Sequence, residues 1–295
     1  MKPLTSYLAP MFADKPLIVV DVGARWGLGN WWAAFGESVK AYCFEADAAE
    51  CSRLNDLGHS GVTYIPEALA GNAGKKTLYC TKYEASSGLY KTNDTFFKRF
   101  LNAGNAEIVK EIEVDTLTLE QARAKYEIPY HDFIKLDVEG AELDVLQGAD
   151  VGGTFGIYTE FRFHRAINGC APFSEVDQYL TNRRFMLYDM TFSKQSRKAL
   201  PYPGPIRMNP DGTRFYAATS GGQVMDGDAL YLRDAMQLKL ERHQILKAAC
   251  VLETFNLNDC AAELLIDREK DADIDLIHCL DLLAGGSFKS YMEAY

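Results

Sequence analysis

The chain is short of positive charge: 31 Lys and Arg stand against 41 Asp and Glu over 295 residues, a formal net charge of -10. Affinity for phosphate rests on clustered cations, so this balance argues against general nucleic-acid binding. It argues equally against electrostatic docking to anionic lipid. The 7 cysteines are an odd set without a single C-x-x-C pair, which excludes the usual zinc spacings and a disulfide framework. Reduced cysteines in a cytoplasmic protein are expected instead. Both glycine-rich nucleotide fingerprints, G-x-G-x-x-G and G-x-x-x-x-G-K-[ST], are missing. No apolar run approaches the roughly 20 residues that cross a bilayer, and "MKPLTSYLAPMF" lacks the apolar stretch of a signal peptide. Internal repeats and low-complexity tracts are absent too. What the chain does have is 47% hydrophobic residues, ample for a real core. Its acidity suits a neutral or weakly charged small partner.

Short apolar runs alternate with helical patterns through the first 190 residues. Strands are expected at 16–23, 40–47, 62–69, 75–80, 107–118, 132–138, 153–161 and 185–190. Helices are expected at 31–37, 47–58, 119–127, 139–149 and 173–184. This order implies an α/β fold, a doubly wound parallel sheet with helices on both faces. Residues 191–226 hold 4 of the 10 prolines and read as a loop or lid, since "DALYLRD" (228–234) looks like one more strand. The division expected is a lead-in over 1–16, one domain over 17–234 and a helical C-terminal extension over 235–295. The extension carries Met236, Leu238, Leu240, Ile245, Leu246, Val251 and Leu252 among charges. That stripe suits either a cover for the sheet or a contact between two copies of the chain.

In open parallel sheets, ligands bind beyond the carboxyl ends of the strands. The first such end is "VVDVGARWGLG", where Gly23 and Gly27 permit a tight turn with Asp21 in front. A phosphate would be repelled by that carboxylate, whereas an ammonium or a polar cofactor tail would be attracted. Strand two ends in "FEAD", placing Glu45 24 positions after Asp21, where a carboxylate can accept both hydroxyls of a ribose. A ribose without a pyrophosphate points to S-adenosyl-L-methionine. Glu67, in "IPEALAG", is placed to reach an adenine edge, and Ala24, Arg25, Ala46 and Ala68 complete the same loops.

The stretch "HDFIKLDVEGAELDVLQGAD" then leads three carboxylates out of an apolar strand. Asp137 falls at the strand's carboxyl end, sharing a face with Lys135. Glu139 and Glu142 are explained as acids at a helix start, where the dipole favours them. The segment "FIKLDVEGAELDVLQGA" resembles the signature of the FkbM family of S-adenosylmethionine-dependent methyltransferases. The resemblance extends in order through "VVDVGARWG", "YCFEAD", "EALAG", "SSGLYKTN", "VDTLTL", "YTEF", "RRFMLYDM" and "GDALYLR", over roughly residues 17 to 233. Arg25 stands where that family usually has Asn, and Ala46 where Pro usually follows the acid.

The resemblance implies a Rossmann-like class I methyltransferase sheet and methyl transfer to a hydroxyl of a small molecule or a sugar. A hydroxyl needs a base, and the candidates are Asp137, Glu160 and His164. His131 precedes its strand, at the wrong end. Asp137 with Glu160 holding a divalent ion is a lesser alternative, and no metal is expected. Ser86 and Ser87 belong to a loop over the site. Trp26 suits stacking on a ligand, Trp31 and Trp32 core packing. Two rivals stand beside this reading: a catalytically inactive relative serving as a binding or scaffold protein, and a nicotinamide-dependent oxidoreductase, which the missing G-x-G-x-x-G disfavours.

Overall fold

Apolar strands that are buried on both faces must be covered by helices on both, and the chain does this in a single sheet. The computed structural model describes residues 2–209, 212, 214–286 and 288, with Tyr216 by its backbone alone. Among the described residues twelve strands form: β1 Leu17–Val22, β2 Val39–Phe44, β3 Val62–Ile65, β4 Ala68–Leu69, β5 Gly74–Thr81, β6 Ile108–Leu117, β7 Phe133–Leu136, β8 Gly156–Arg162, β9 Met186–Gln195, β10 Ile206–Met208, β11 Arg214–Tyr216 and β12 Gln223–Leu232. The main sheet has seven of them in the order β3-β2-β1-β7-β8-β12-β9. All pairs from β3 to β8 are parallel, while β12 inserts antiparallel between β8 and β9. The order reverses beside β1, which makes the gap between the tips of β1 and β7 the natural ligand crevice.

Three expectations need correcting. The run 62–69 is not one strand: Pro66 cannot donate to a ladder, so β3 ends before it and β4 joins a separate sheet, β4-β6-β5. Residues 191–226 are not one loop, because β9 continues to Gln195, β12 begins at Gln223, and β10 and β11 pair as a hairpin between them. Of that segment, Pro210, Asp211 and Thr213 lie outside the described residues. The helix expected over 31–37 is a 3-10 segment, Asn30–Ser38, broken at Gly36, whose φ of 54° leaves the helical region.

Helices α1 (Pro3–Leu8), α7 (Arg242–Thr254) and α8 (Asn258–Asp267) cover one face of the sheet. Lead-in and extension therefore form one layer. Ile245, Leu246, Val251 and Leu252 are buried in it beside Leu4, Leu8 and Phe12. The buried Glu253 joins them, accepting from Leu4 N at 3.0 Å, Thr5 N at 2.8 Å and Thr5 Oγ1 at 2.7 Å. These bonds satisfy first-turn N–H groups of α1 that the helix itself leaves unpaired. Helices α4 (Leu119–Lys125), α5 (Glu142–Gln147) and α6 (Phe173–Thr181) cover the other face. Among the described residues, no helix is long and apolar enough to cross a membrane.

Candidate active site

Beyond the tips of β1, β2 and β7 lies a cavity of about 460 Å³. Val22, Phe44, Leu69 and Val138 form its apolar floor, and the small sheet roofs it with Leu78, Cys80, Lys110, Ile112 and Val114. The loop after β5 closes one side with Glu84, Ala85, Ser87, Gly88 and Leu89. That loop is tied back to β5 by reciprocal bonds between Tyr79 and Gly88, at 2.9 and 3.2 Å. The floor exists because Gly23 is a glycine. Its φ is +84°, and a Cβ there would lie 1.8 Å from the Asp137 carbonyl oxygen. The first turn and the β7 tip can meet only where no side chain intervenes.

Glu45 closes β2 and faces the cavity with its side chain buried. One carboxylate oxygen accepts from Asp47 N at 2.8 Å. Burial pushes its pKa up, and the Asp47 N–H and Arg25 oppose that shift only in part. Arg25 bridges the two sides of the entrance, paired with Glu84 of the roof loop and 3.5 Å from Asp47. Glu67 lines the cavity too, but Lys125 and the Tyr126 hydroxyl (2.5 Å) hold its carboxylate.

Lys135, on β7, carries the central ion pairs. Its Nζ lies 3.2 Å from Asp21 Oδ1 and 3.3 Å from Asp137 Oδ2. Burial alone would pull the Lys135 pKa down, but the two carboxylates outweigh it and hold the ammonium charged. Asp21 is buried, which pushes its carboxyl up against the pull of Lys135. Asp137 is the outer partner, with its side chain 46% exposed at the cavity's edge. A carboxylate with one side on a fixed ammonium and the other open is able to accept a proton from an entering group.

A family model described as the methyltransferase FkbM domain matches residues 21–187, more than half of the chain. The chain belongs to the FkbM methyltransferase family. No curated protein matches it. Similar solved structures include the magnesium protoporphyrin IX methyltransferase of Synechocystis PCC 6803, at 11% identity, covering 78% of this chain and 77% of that one with a TM-score of 0.33. A SAM-dependent methyltransferase of Agrobacterium tumefaciens is 9% identical, over 77% of this chain and 60% of that one, TM-score 0.35. An uncharacterized protein of Listeria monocytogenes serotype 4b is 9% identical over 94% and 97%, TM-score 0.34. Likenesses of this order say nothing about what the chain does.

In this FkbM methyltransferase, Gly23, Arg25, Glu45, Ala46, Glu67, Ala68 and Asp137 come together around one cavity. Asp21, Ala24 and Gly27 do not line it. Asp21 faces Lys135. The Ala24 amide, like that of Gly23, donates to the Phe44 carbonyl at 3.0 Å. Gly27 has a φ of +95° and packs against Tyr64, whose hydroxyl would sit 3.1 Å from a Cβ. These three shape the turn from behind.

Glu160 and His164 lie outside that lining as well. Glu160 meets the buried Arg162, whose NH2 donates to its carboxylate at 3.0 and 3.1 Å. Arg162 also pairs with Glu139 and lies 3.8 Å from Asp226. Burial pushes Glu139 up to about 8 and Glu160 well above the usual carboxylate range, with Arg162 opposing both shifts. Carboxylate oxygens of Asp137, Glu139 and Glu160 come within 4.8 Å of one another. A guanidinium already supplies the counter-charge for two of the three. His164 Nε2 sits 3.0 Å from the Val224 carbonyl and 2.7 Å from the Gln223 amide, at the start of β12.

Glu139 is not a helix-start residue. Its φ is +54° and that of Gly140 is +106°, so α5 begins only at Glu142. Glu142 folds back instead, accepting from Val138 N and Gly140 N at 3.1 Å each. Sequence reasoning missed the roof residues Lys110, Ile112 and Val114, whose alternation along β6 was the available signal. It also missed Asp228, which stands opposite Glu160 in the β12–β8 ladder. Burial and then Asp137 push its carboxyl up to about 6.

Proposed function

We propose that this FkbM methyltransferase binds S-adenosyl-L-methionine in the cavity and transfers its methyl group to a hydroxyl oxygen of a small molecule or sugar. The observation that carries this reading is the buried Glu45 carboxylate at the end of β2, beside the apolar slot of Phe44, Ala68, Leu69 and Ile112. The residues fit the cofactor: an acid to accept two ribose hydroxyls, apolar walls for a purine, and no cluster of cations that a pyrophosphate would need. Bound there, the cofactor supplies a methyl group that is already activated. The chain's own work is then alignment and proton removal. Asp137 takes the hydroxyl proton on its open side as the acceptor oxygen gains the methyl group, while Lys135 fixes the carboxylate from behind. The small sheet keeps water from the slot.

Calorimetry with S-adenosylhomocysteine tests the reading. Hydrogen bonds to a charged group contribute about 1.5–3 kcal/mol, so Glu45→Ala should weaken binding roughly 10- to 100-fold. Equal affinity in the two proteins would remove Glu45 from the ribose and, with it, the main support for this cofactor.

A further inference from the structure

The net charge of the whole chain hides a local reversal. Residues 196–216 carry Arg197, Lys198, Arg207 and Arg214 against one acid, Asp211, in a protein of net charge -10. Lys198, Arg207 and Arg214 are exposed. The same segment holds the two most solvent-exposed large apolar side chains of the described residues, Leu200 at 84% and Met208 at 68%, with Ile206 at 60% and Tyr202 at 55% close by. We propose that the β10–β11 hairpin and the segment leading into it are a docking surface for an anionic lipid membrane.

Local geometry keeps these side chains outside. Pro201, Pro203 and Pro205 alternate with Tyr202, Gly204 and Ile206; each proline lacks an N–H and fixes its φ, so this stretch can neither coil into a helix nor pair as an inner strand. In the hairpin, Ile206 pairs with Tyr216, Arg207 with Phe215 and Met208 with Arg214. Alternation puts Ile206, Met208 and Arg214 on one face, and Arg207 and Phe215 on the other. Phe215 stacks on Tyr83 with ring centroids 4.7 Å apart, so its face is turned to the loop that closes the cavity. The Ile206–Met208 face therefore looks away from the protein.

Apolar side chains among cations are what the interface of an anionic bilayer selects: the first enter the acyl boundary, the second meet the phosphates. A second copy of this chain fits less well, because a two-fold contact would set the cations of one hairpin against those of the other. Nucleic acid fits less well too, since stacking on bases uses aromatic faces rather than Leu, Ile and Met. The overall acidity does not prevent docking. Charges more than about 8 Å from the membrane are largely screened at physiological salt. Docked this way, the loop beginning at Tyr83 would bring the cavity beside the bilayer.

Co-sedimentation of the full chain with phosphatidylcholine vesicles, with and without phosphatidylglycerol, tests this. Binding should require phosphatidylglycerol and fall with added salt. Lys198→Gln or Arg214→Gln should weaken it roughly fivefold each, and Ile206→Asp with Met208→Asp at least about tenfold. Far-UV circular dichroism and the thermal shift with S-adenosylhomocysteine should stay as in the parent, which separates this proposal from the cofactor assignment. Absence of vesicle binding, equal binding to phosphatidylcholine alone, or binding untouched by the Ile206→Asp, Met208→Asp pair would overturn it. So would a concentration-dependent dimer that the same substitutions abolish.

Discussion

The two ends of β7 treat charge in opposite ways. At the amino end, His131 is fully buried and stacked flat on Tyr130, centroids 4.9 Å apart and planes 7° from parallel. Burial, with Arg123 adding to it, pulls its pKa down to about 4, so the ring stays neutral. At the carboxyl end, Lys135 is buried yet stays charged between Asp21 and Asp137. One strand thus carries a group kept neutral for packing and another kept ionised for use. A buried charge is retained only where partners compensate its lost hydration, and here the outer partner is the one that opens to the cavity. The ends differ because only the carboxyl ends of a parallel sheet look into a crevice.

Three substitutions probe that contrast. The largest effect is expected on rate: Asp137→Asn should lower turnover by about 10²–10⁴, the usual contribution of a positioned base. Stability should move by no more than about 0.5 kcal/mol, because the side chain is half-exposed and Lys135 keeps Asp21. Full turnover in a methylation assay with a native acceptor would take Asp137 out of the chemistry. Next, Lys135→Met leaves Asp21 buried without a counter-charge and should cost about 3–5 kcal/mol in denaturant unfolding at neutral pH. The loss should shrink in acid, since an unpaired buried carboxyl binds its proton more tightly folded than unfolded. A loss independent of pH would show that Lys135 acts through packing.

The smallest effect belongs to the amino end. His131 titrates near 4 in the fold against about 6.5 in the unfolded chain. The unfolded chain therefore takes up the proton first as pH falls. Stability should be whole above pH 6.5 and decline toward pH 4, by about 3 kcal/mol. In His131→Leu this decline should flatten, and unfolding midpoints across that range measure it. An unchanged slope would place the acid sensitivity elsewhere.

Much of this was legible in order along the chain. Buried parallel strands announce themselves as "LIVVDV" and "FIKL", and Asp47, Gly58 and Thr118 mark helix boundaries by their chemistry. The cofactor loops were legible for the same reason, since a strand end, a glycine and an acid lie within a few residues of each other. The pairings that settle the site were not legible, because they involve distance. Nothing near Glu139 says that its partner is Arg162, and nothing near Glu67 announces Lys125. The 75–80 and 107–118 strands look like members of the main sheet, because alternation reports a strand but not which sheet it joins.

The amino-acid order by itself determined the alternation of strands and helices, the turn that only Gly23 permits, and the acids that close β2 and β7. These depend on backbone sterics and on neighbours within a turn or two, which a linear chain already contains. Tertiary structure alone decided which acids remain free. It gave Glu160 and Glu139 to Arg162, turned Asp21 toward Lys135 and left Asp137 open at the cavity's edge. Burial and ion pairing are set by groups remote in sequence, and they exist only once the sheet has brought its strand tips together.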